Sequence, residues 1–231
     1  ESDATGDIHT FTVGLAAAAE RLGVKCLYGQ DVTNLHSDGT QAIVTAQNVD
    51  GAHTRTFDGL VVCAGVGSRA FAAQLGDRVN VYPVKGYSIT VNLPDAASQQ
   101  AAPTVSLLDD ETKLVTSRLG LDRFRVAGTA EFNGANRDIR ADRIRPLTAW
   151  VNQCFPGINT RQVVPWAGLR PMLPNMMPRV GAGRHTNVFY NTGHGHLGWT
   201  LSAVTADMVA EQVLEARTVR AAVAVPVTAL G

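Results

Sequence analysis

One arginine lies where its charge needs a partner. Arg170 stands in the segment Trp166–Met172, whose other residues are apolar or small (WAGLRPM). An unpaired guanidinium is costly to bury in such surroundings, and its planar fork of donors matches a carboxylate. Two partners stay open for Arg170: the carboxylate of a small substrate, or an acidic side chain of the protein itself.

A glycine-rich loop lies between a predicted strand and a predicted helix. Residues 193–198 read GHGHLG and match GxGxxG, the pattern of a dinucleotide-binding turn. That turn needs an acidic residue on a second parallel strand, and Glu215 has no strand to carry it. We expect a loop that admits a planar ligand close to backbone amides and a helix start. A tight turn without a ligand is the alternative, and His194 and His196 either contact that ligand or are solvated.

Two weaker candidates accompany this loop. Gly65-Val66-Gly67 lacks a third glycine but directly follows the apolar strand Leu60–Ala64, and open α/β sheets bind ligands at such strand ends. Ligand contact and a plain turn are equally supported there. Tyr87, in Pro83–Ser88, either lines a pocket or packs in a core, as strand aromatics usually do.

Composition excludes several other classes of function. The 20 basic and 20 acidic side chains cancel without a basic run, so nucleic acid is not an expected partner, and a small neutral or zwitterionic ligand fits better. The three cysteines lack a CxxC pair, and no histidines have metal-ligand spacing, which predicts reduced thiols and no metal site. Since no stretch approaches the ~20 apolar residues of a membrane span, we expect a cytoplasmic protein.

The elements around these residues predict a mixed α/β (α+β) fold. A helix is predicted over residues 7–22, with Asp7 as its cap and Ile8, Phe11, Leu15 and Leu22 on one apolar face. Short strands follow, the first at Val24–Tyr28, and then the buried strand before Gly65. A last helix over residues 200–215 has an apolar face made of Leu201, Val204, Met208 and Val213.

The middle of the chain has a different pattern. Four period-2 segments between residues 87 and 129 predict an antiparallel sheet, and a helix is predicted over residues 138–154. The proline-rich stretch 165–178 is interpreted as a linker back to the first domain. We therefore expect a first domain with a parallel α/β sheet over residues 1–78, a second domain over 79–175, and a return to the first over 176–231.

Several segments together resemble the bacterial FAD-dependent D-amino acid dehydrogenases, within the D-amino acid oxidase and glycine oxidase superfamily. The two most specific blocks are WAGLRPM and NTGHGHLGWT, in that order along the chain. The segments that carry the resemblance are Thr5–Asp7, Val61–Gly65, Tyr82–Ser88, Gly128–Glu131, Trp166–Met172 and Asn191–Thr200.

The resemblance implies an oxidoreductase. Its first domain would be a partial Rossmann-like domain that binds FAD, and its second, with the antiparallel sheet, would bind substrate. Hydride would pass from the Cα of a D-amino acid to FAD, and the imino acid formed would hydrolyse to a 2-oxo acid and ammonia. Arg170 would hold the substrate carboxylate, with His196 and Tyr87 as further substrate contacts. The cofactor contacts implied are Val32, Ala64, Gly65, Gly193, His194, Gly195, Leu197, Gly198, Trp199 and Thr200.

The resemblance also implies that part of the enzyme is missing. Such enzymes begin with a βαβ unit that carries the true GxGxxG, and this sequence lies downstream of that unit. We therefore expect an amino-terminal half or a partner subunit to be needed for activity. The alternatives are a glycine- or sarcosine-type amine oxidase, and a non-catalytic fragment that requires another chain. Location at the inner face of the bacterial inner membrane is implied by the family alone.

Overall fold

The computed structural model describes residues 5–223, so residues 224–231 of the predicted third segment lie outside the description. The helices are α1 Ile8–Arg21, α2 Ser68–Gln74, α3 Ala96–Ala101, α4 Ala141–Cys154 and α5 Gly198–Val223, and a 3₁₀ turn at Gly65–Gly67 precedes α2. The strands are β1 Asp31–Ser37, β2 Ala42–Asn48, β3 Gly51–Phe57, β4 Leu60–Val62, β5 Tyr82–Asn92, β6 Leu108–Asp109, β7 Leu114–Leu119, β8 Arg123–Glu131, β9 Val163–Met172, β10 Arg179–Ala182 and β11 Val188–Thr192.

The chain forms two compact units. Among the described residues, the first comprises residues 5–26 together with Pro83–Leu169, and the second comprises Leu27–Tyr82 together with residues 170–223. The mixed α/β fold with antiparallel sheets that the sequence predicts is confirmed. The predicted segments had boundaries after residues 78 and 175, and the roles given to them remain predictions.

The first unit is built on a five-stranded sheet in the order β6-β7-β8-β5-β9. Alternate residues of β5 and β8 point to one face, where Ile89 and Val126 are fully buried and pack with Leu147 and Val151 of α4. The period-2 pattern produces this face because successive side chains of a strand alternate between its two sides. The predicted antiparallel sheet and the helix ending at Cys154 are therefore present.

The predicted linker at residues 165–178 is wrong over its first half, which forms strand β9. β9 is the edge strand of its sheet. An edge position tolerates proline because a missing backbone N–H on the outer side breaks no ladder hydrogen bond. Pro165 and Pro171 are therefore compatible with a strand here, although they indicate a loop when they are considered alone.

The second unit contains two three-stranded sheets. The first is the antiparallel meander β1-β2-β3, and the other has the order β10-β11-β4. β4 runs parallel to β11, with Leu60 opposite Val188 and Val62 opposite Tyr190. Their shared core includes Leu35, Leu75 and Val81. The apolar strand predicted before Gly65 is therefore the parallel partner of the strand before Gly193. The predicted burial on both faces is wrong, because only Val62 of β4 is buried and Val61 is 37% exposed.

Among the described residues, one predicted strand is wrong, and the apolar faces of two predicted helices are exposed. Val24–Tyr28 forms no strand, because no other strand pairs with it. The apolar face of α1 has no buried residue, and its Leu15 is 57% exposed. On α5 the buried residues are Thr205 and Val209, whereas the predicted face is largely exposed at Val204 and Met208.

Candidate functional site

Two glycine turns meet at one edge of the parallel strand pair in the second unit. β4 and β11 run in the same direction, so their carboxyl ends lie side by side. Ala64-Gly65 follows β4 and the Gly193 loop follows β11, and each turn leads into a helix, α2 or α5. This is the position at which open α/β sheets bind nucleotides, because free backbone amides and helix starts converge there.

The turn after β4 leaves room for a ligand. Gly65 has φ +54, and no heavy atom lies within 4 Å of the position that a Cβ on it would occupy. Asn191 lies two residues before Gly193. Its Oδ1 atom is buried and has no hydrogen-bond partner among the described residues. A buried acceptor without a donor is uncommon, so a ligand donor would satisfy it.

The two turns are connected by a buried hydrogen bond that sequence inspection did not find. The hydroxyl oxygens of Ser68 and Thr192 are 2.8 Å apart, and both side chains are buried. Ser68 is the first residue of α2, and Thr192 is the last of β11. Because the two residues are distant in sequence, only the parallel pairing of β4 and β11 reveals this connection.

Two features of the second turn favour glycine: its backbone conformation and the close approach of neighbouring side chains. Gly193 and Gly195 have φ +80 and +57, a region that favours glycine. A Cβ on Gly193 would lie 2.5 Å from Leu173 Cδ1, and one on Gly195 would lie 2.6 Å from Met172 Sδ. These two glycines therefore permit the loop to pack closely against the segment that follows Arg170.

The side chains of this loop point in different directions. The Nε2 atom of His194 is 3.1 Å from the Thr205 hydroxyl of α5, and burial lowers the pKa of this imidazole. His196 is exposed, as are the other three side chains proposed as cofactor contacts here, Leu197, Trp199 and Thr200. Gly198 begins α5. His194 is thus held by the protein, whereas His196 is accessible to a ligand.

Arg170 is brought next to the glycine loop. The N–H of Gly195 donates to the carbonyl of Pro171 at 3.0 Å, and Met172 forms a β-bridge with His194. Burial lowers the pKa of the Arg170 guanidinium. The structure therefore joins two candidates that the sequence analysis treated separately, within the second unit and at the same strand edge.

Of the other two predicted contacts, Val32 belongs to the second unit and Tyr87 to the first. Val32 is at the start of β1 and is partly buried against the core of the second unit. Tyr87 is in the first unit, 1% exposed, and its hydroxyl donates to Glu131 Oε2 at 2.6 Å. The packing alternative therefore describes the surroundings of Tyr87.

Glu131 is the centre of an ionic cluster in the first unit. Fully buried Lys85 lies 3.1 Å from Glu131 Oε2, and Arg140 lies 2.9 Å from Oε1. The Tyr87 hydroxyl, followed by Lys85, lowers the pKa of Glu131 in spite of its burial. Burial alone would lower the pKa of Lys85, but contacts with Tyr87 and Glu131 outweigh burial and raise it. The carboxylate of Glu131 and the ammonium of Lys85 therefore stabilise each other as charged groups near neutral pH.

Two negative findings concern the described residues only. In residues 5–223, no group of three or more His, Cys, Asp or Glu side chains could hold a metal ion. In the same range, no helix is long and apolar enough to cross a membrane.

Comparison with known proteins identifies the family. The "FAD dependent oxidoreductase" (DAO) family profile matches residues 1–212. D-amino acid dehydrogenase 3 of Mesorhizobium japonicum is 60% identical over 213 residues, which are 92% of this chain and 51% of that protein. D-amino acid dehydrogenase of Dechloromonas aromatica is 42% identical over 215 residues, covering 92% of this chain and 50% of the relative.

Solved structures share the fold. Glycine oxidase from Geobacillus kaustophilus superposes with a TM-score of 0.76 at 22% identity, covering 88% of this chain and 53% of the oxidase. Iminodiacetate oxidase from Chelativorans gives a TM-score of 0.70 at 23% identity, with coverages of 87% and 54%. The chain spans about half the length of the relatives that it matches. With a profile match over most of its residues, this chain belongs to the FAD-dependent oxidoreductase (DAO) family.

Proposed function

We propose that this chain supplies the substrate-carboxylate clamp and part of the FAD site of a D-amino acid dehydrogenase. The reaction is oxidative deamination, in which a D-amino acid becomes a 2-oxo acid and ammonia. The observation that carries the proposal is the convergence of Arg170 with the Gly193 loop at the carboxyl edge of β4 and β11. The 60% identity to a D-amino acid dehydrogenase supports the substrate class.

The residues at this edge fit FAD. Gly65 leaves open space beside the backbone, Asn191 carries an unsatisfied acceptor, and the start of α5 offers amides and a positive dipole end. We propose that Ala64, Gly65 and the loop from Gly193 to Thr200 hold the cofactor. When bound, FAD supplies the hydride acceptor for the reaction.

The chain's own contribution is binding and orientation. The planar fork of the Arg170 guanidinium matches a substrate carboxylate. Because this guanidinium is partly buried, the attraction is less screened than on an open surface. A carboxylate fixed at Arg170 restricts the rotation of the substrate, so that one Cα–H faces the Gly193 loop. Exposed His196 is the second substrate contact that we propose.

Activity requires the part of the enzyme that this chain does not span. β4 is an edge strand within the described part of the chain, although strands of parallel sheets are usually buried on both sides. The apolar faces of α1 and of α5 at Val204 and Met208 are also exposed. We propose that the remaining half of the enzyme, in the same polypeptide or in a partner subunit, covers these surfaces.

The test uses an enzyme assembled from this chain and the half of the Mesorhizobium japonicum relative that the chain does not cover. With FAD and D-alanine we expect reduction of an artificial dye, and Arg170→Gln should lower kcat/KM by about 100-fold, the order expected when one side of a buried charge pair is lost. Arg217→Gln, an exposed change of the same charge on α5, is the control and should leave kcat/KM unchanged.

Three results would contradict the proposal. Unchanged kinetics in Arg170→Gln would remove the carboxylate role of Arg170. Oxidation of glycine or sarcosine with oxygen consumption, and no dye reduction with any D-amino acid, would favour the amine oxidase alternative instead. A mixture that binds flavin but oxidises none of these substrates would identify the chain as non-catalytic.

A further inference from the structure

A second arginine, in the first unit, is not used by the proposed reaction. Arg125 lies on β8, and its guanidinium carbon is 5.3 Å from the centre of the Trp166 ring. Phe124 and Val126, its neighbours in β8, point into the core, so Arg125 lies on the opposite face of the five-stranded sheet. The indole ring holds the guanidinium through a cation–π interaction.

The backbone of β9 makes room for this ring. A Cβ on Gly168 would lie 2.0 Å from Trp166 Cη2 and 2.6 Å from Cζ2. Any other residue at position 168 would displace the indole and with it the surface on which Arg125 rests. The glycine, the tryptophan and the arginine therefore form one local arrangement, which we call the Arg125 platform.

No carboxylate of the described residues forms a salt bridge with Arg125. The carboxylate that interacts electrostatically with Arg125 is that of Asp7. Asp7 already forms a salt bridge of 3.1 Å with Arg123 and caps α1. Burial lowers the pKa of the Arg125 guanidinium, and the weaker attraction of Asp7 opposes this shift. A partly buried guanidinium without a carboxylate partner attracts an anion.

Hydroxyl groups flank the Arg125 platform on both neighbouring strands. Thr90 of β5 and Ser117 of β7 are each directly opposite Arg125 in the sheet register. Directly opposite residues share a sheet face, with Cβ atoms about 5 Å apart. Both residues are partly buried, and neither hydroxyl makes a hydrogen bond among the described residues. The platform thus has one cation and two neutral donors in a row.

We propose that the Arg125 platform is a binding site for a small carboxylate, with Arg125 as the main donor and Thr90 and Ser117 as secondary donors. Two parallel N–H bonds from a guanidinium match the two oxygens of a carboxylate, whereas chloride is a single spherical ion that offers no such pair of acceptors. The proposed site uses Arg125 and not Arg170, and its test does not depend on the proposed oxidation.

The test is an NMR titration of the full chain with sodium acetate, against sodium chloride at equal ionic strength. The indole N–H signal of Trp166, assigned with Trp166→Phe, should shift and saturate with acetate but not with chloride. Arg125→Gln should weaken acetate binding about tenfold or more, as expected for the loss of charge-assisted hydrogen bonds, whereas Arg145→Gln on α4 should not. Thr90→Val should weaken it by a smaller factor without changing charge.

Three outcomes would overturn the proposal. Equal shifts with chloride would show general attraction of anions rather than a carboxylate site. Unchanged acetate affinity in Arg125→Gln, with the other indole signals in place, would remove Arg125 from the site. Absence of any saturable shift would mean that the platform pairs with a protein acid instead of a small molecule.

Discussion

Three buried or partly buried cations of this chain differ in what surrounds them. Lys85 is fully buried and fixed by Glu131, so its charge is satisfied within the protein. Arg170 adjoins a glycine loop at a strand edge, and Arg125 rests on an indole. The first arrangement stabilises the fold, whereas the other two are the places at which we propose that a ligand binds. The distinction depends on neighbours that are distant in sequence.

Removal of the Tyr87 hydroxyl should change the pH dependence of stability. The hydroxyl is the largest cause that lowers the pKa of Glu131 from its ordinary value of 4.5. A carboxyl whose folded pKa is lowered contributes stability that is complete above the unfolded pKa and is lost as pH falls through the folded pKa. In Tyr87→Phe the folded pKa of Glu131 should rise toward the ordinary value.

The free energy of unfolding of the wild type should therefore exceed that of Tyr87→Phe at pH 7, and the difference should shrink between about pH 5 and pH 3. Urea denaturation across this range measures it. Tyr28→Phe is the control, because Tyr28 is 70% exposed. A wild-type advantage of the same size at pH 7 and pH 3 would show that the hydroxyl does not act through the charge of Glu131.

At the residue scale, sequence reasoning depends on local signals. Arg170 was identified because its immediate neighbours are apolar, and the structure places it beside the loop that was identified independently. Arg125 and Glu131 gave no signal, because an arginine or glutamate on an alternating strand resembles a solvated residue. Only the sheet register places Glu131 next to Lys85 and brings Thr90 opposite Arg125.

At the scale of elements, the turn after β11 is constrained by packing as well as by any ligand. Gly195→Ala should lower the free energy of unfolding by about 1–2 kcal/mol, because alanine at φ +57 is strained. The added methyl would also meet Met172 Sδ, which must shift. This loss should be present without flavin.

Gly14→Ala is the matched control for that variant. Gly14 lies in the interior of α1 with no atom within 4 Å of its Cβ position, so alanine should raise stability by up to about 1 kcal/mol. Thermal unfolding of the two variants in the absence of FAD compares them. A Gly195→Ala chain as stable as the wild type would mean that the loop lacks the left-handed geometry described.

Element prediction worked best where capping and turn chemistry agree with periodicity. Asp7 accepts hydrogen bonds from His9 and Thr10 at the start of α1, and Gly23 has φ +92 after its end. It failed at β9, since two prolines indicate a loop and only the edge position in the sheet makes them compatible with a strand. Periodicity identified the apolar faces of α1 and α5, but it does not show whether a partner buries them.

For the molecule as a whole, the exposed apolar surface and the incomplete coverage of the relatives both indicate that this chain works with another segment. The chain spans about half the length of D-amino acid dehydrogenases that are 60% and 42% identical to it. Within the described residues, the faces of α1 and α5 that periodicity marks as apolar are exposed. Both observations support an enzyme in which this chain contributes one part of the cofactor site and another segment contributes the rest.

The most direct measurement is an absorbance spectrum of this chain with FAD and the complementary half of the Mesorhizobium japonicum relative, before and after addition of D-alanine. We expect a shifted flavin band at about 450 nm, where the cofactor itself absorbs. This band should bleach with D-alanine and persist with L-alanine. Either half alone should give a smaller shift and no bleaching. A mixture that holds flavin and keeps the band with every D-amino acid would contradict the proposed dehydrogenase.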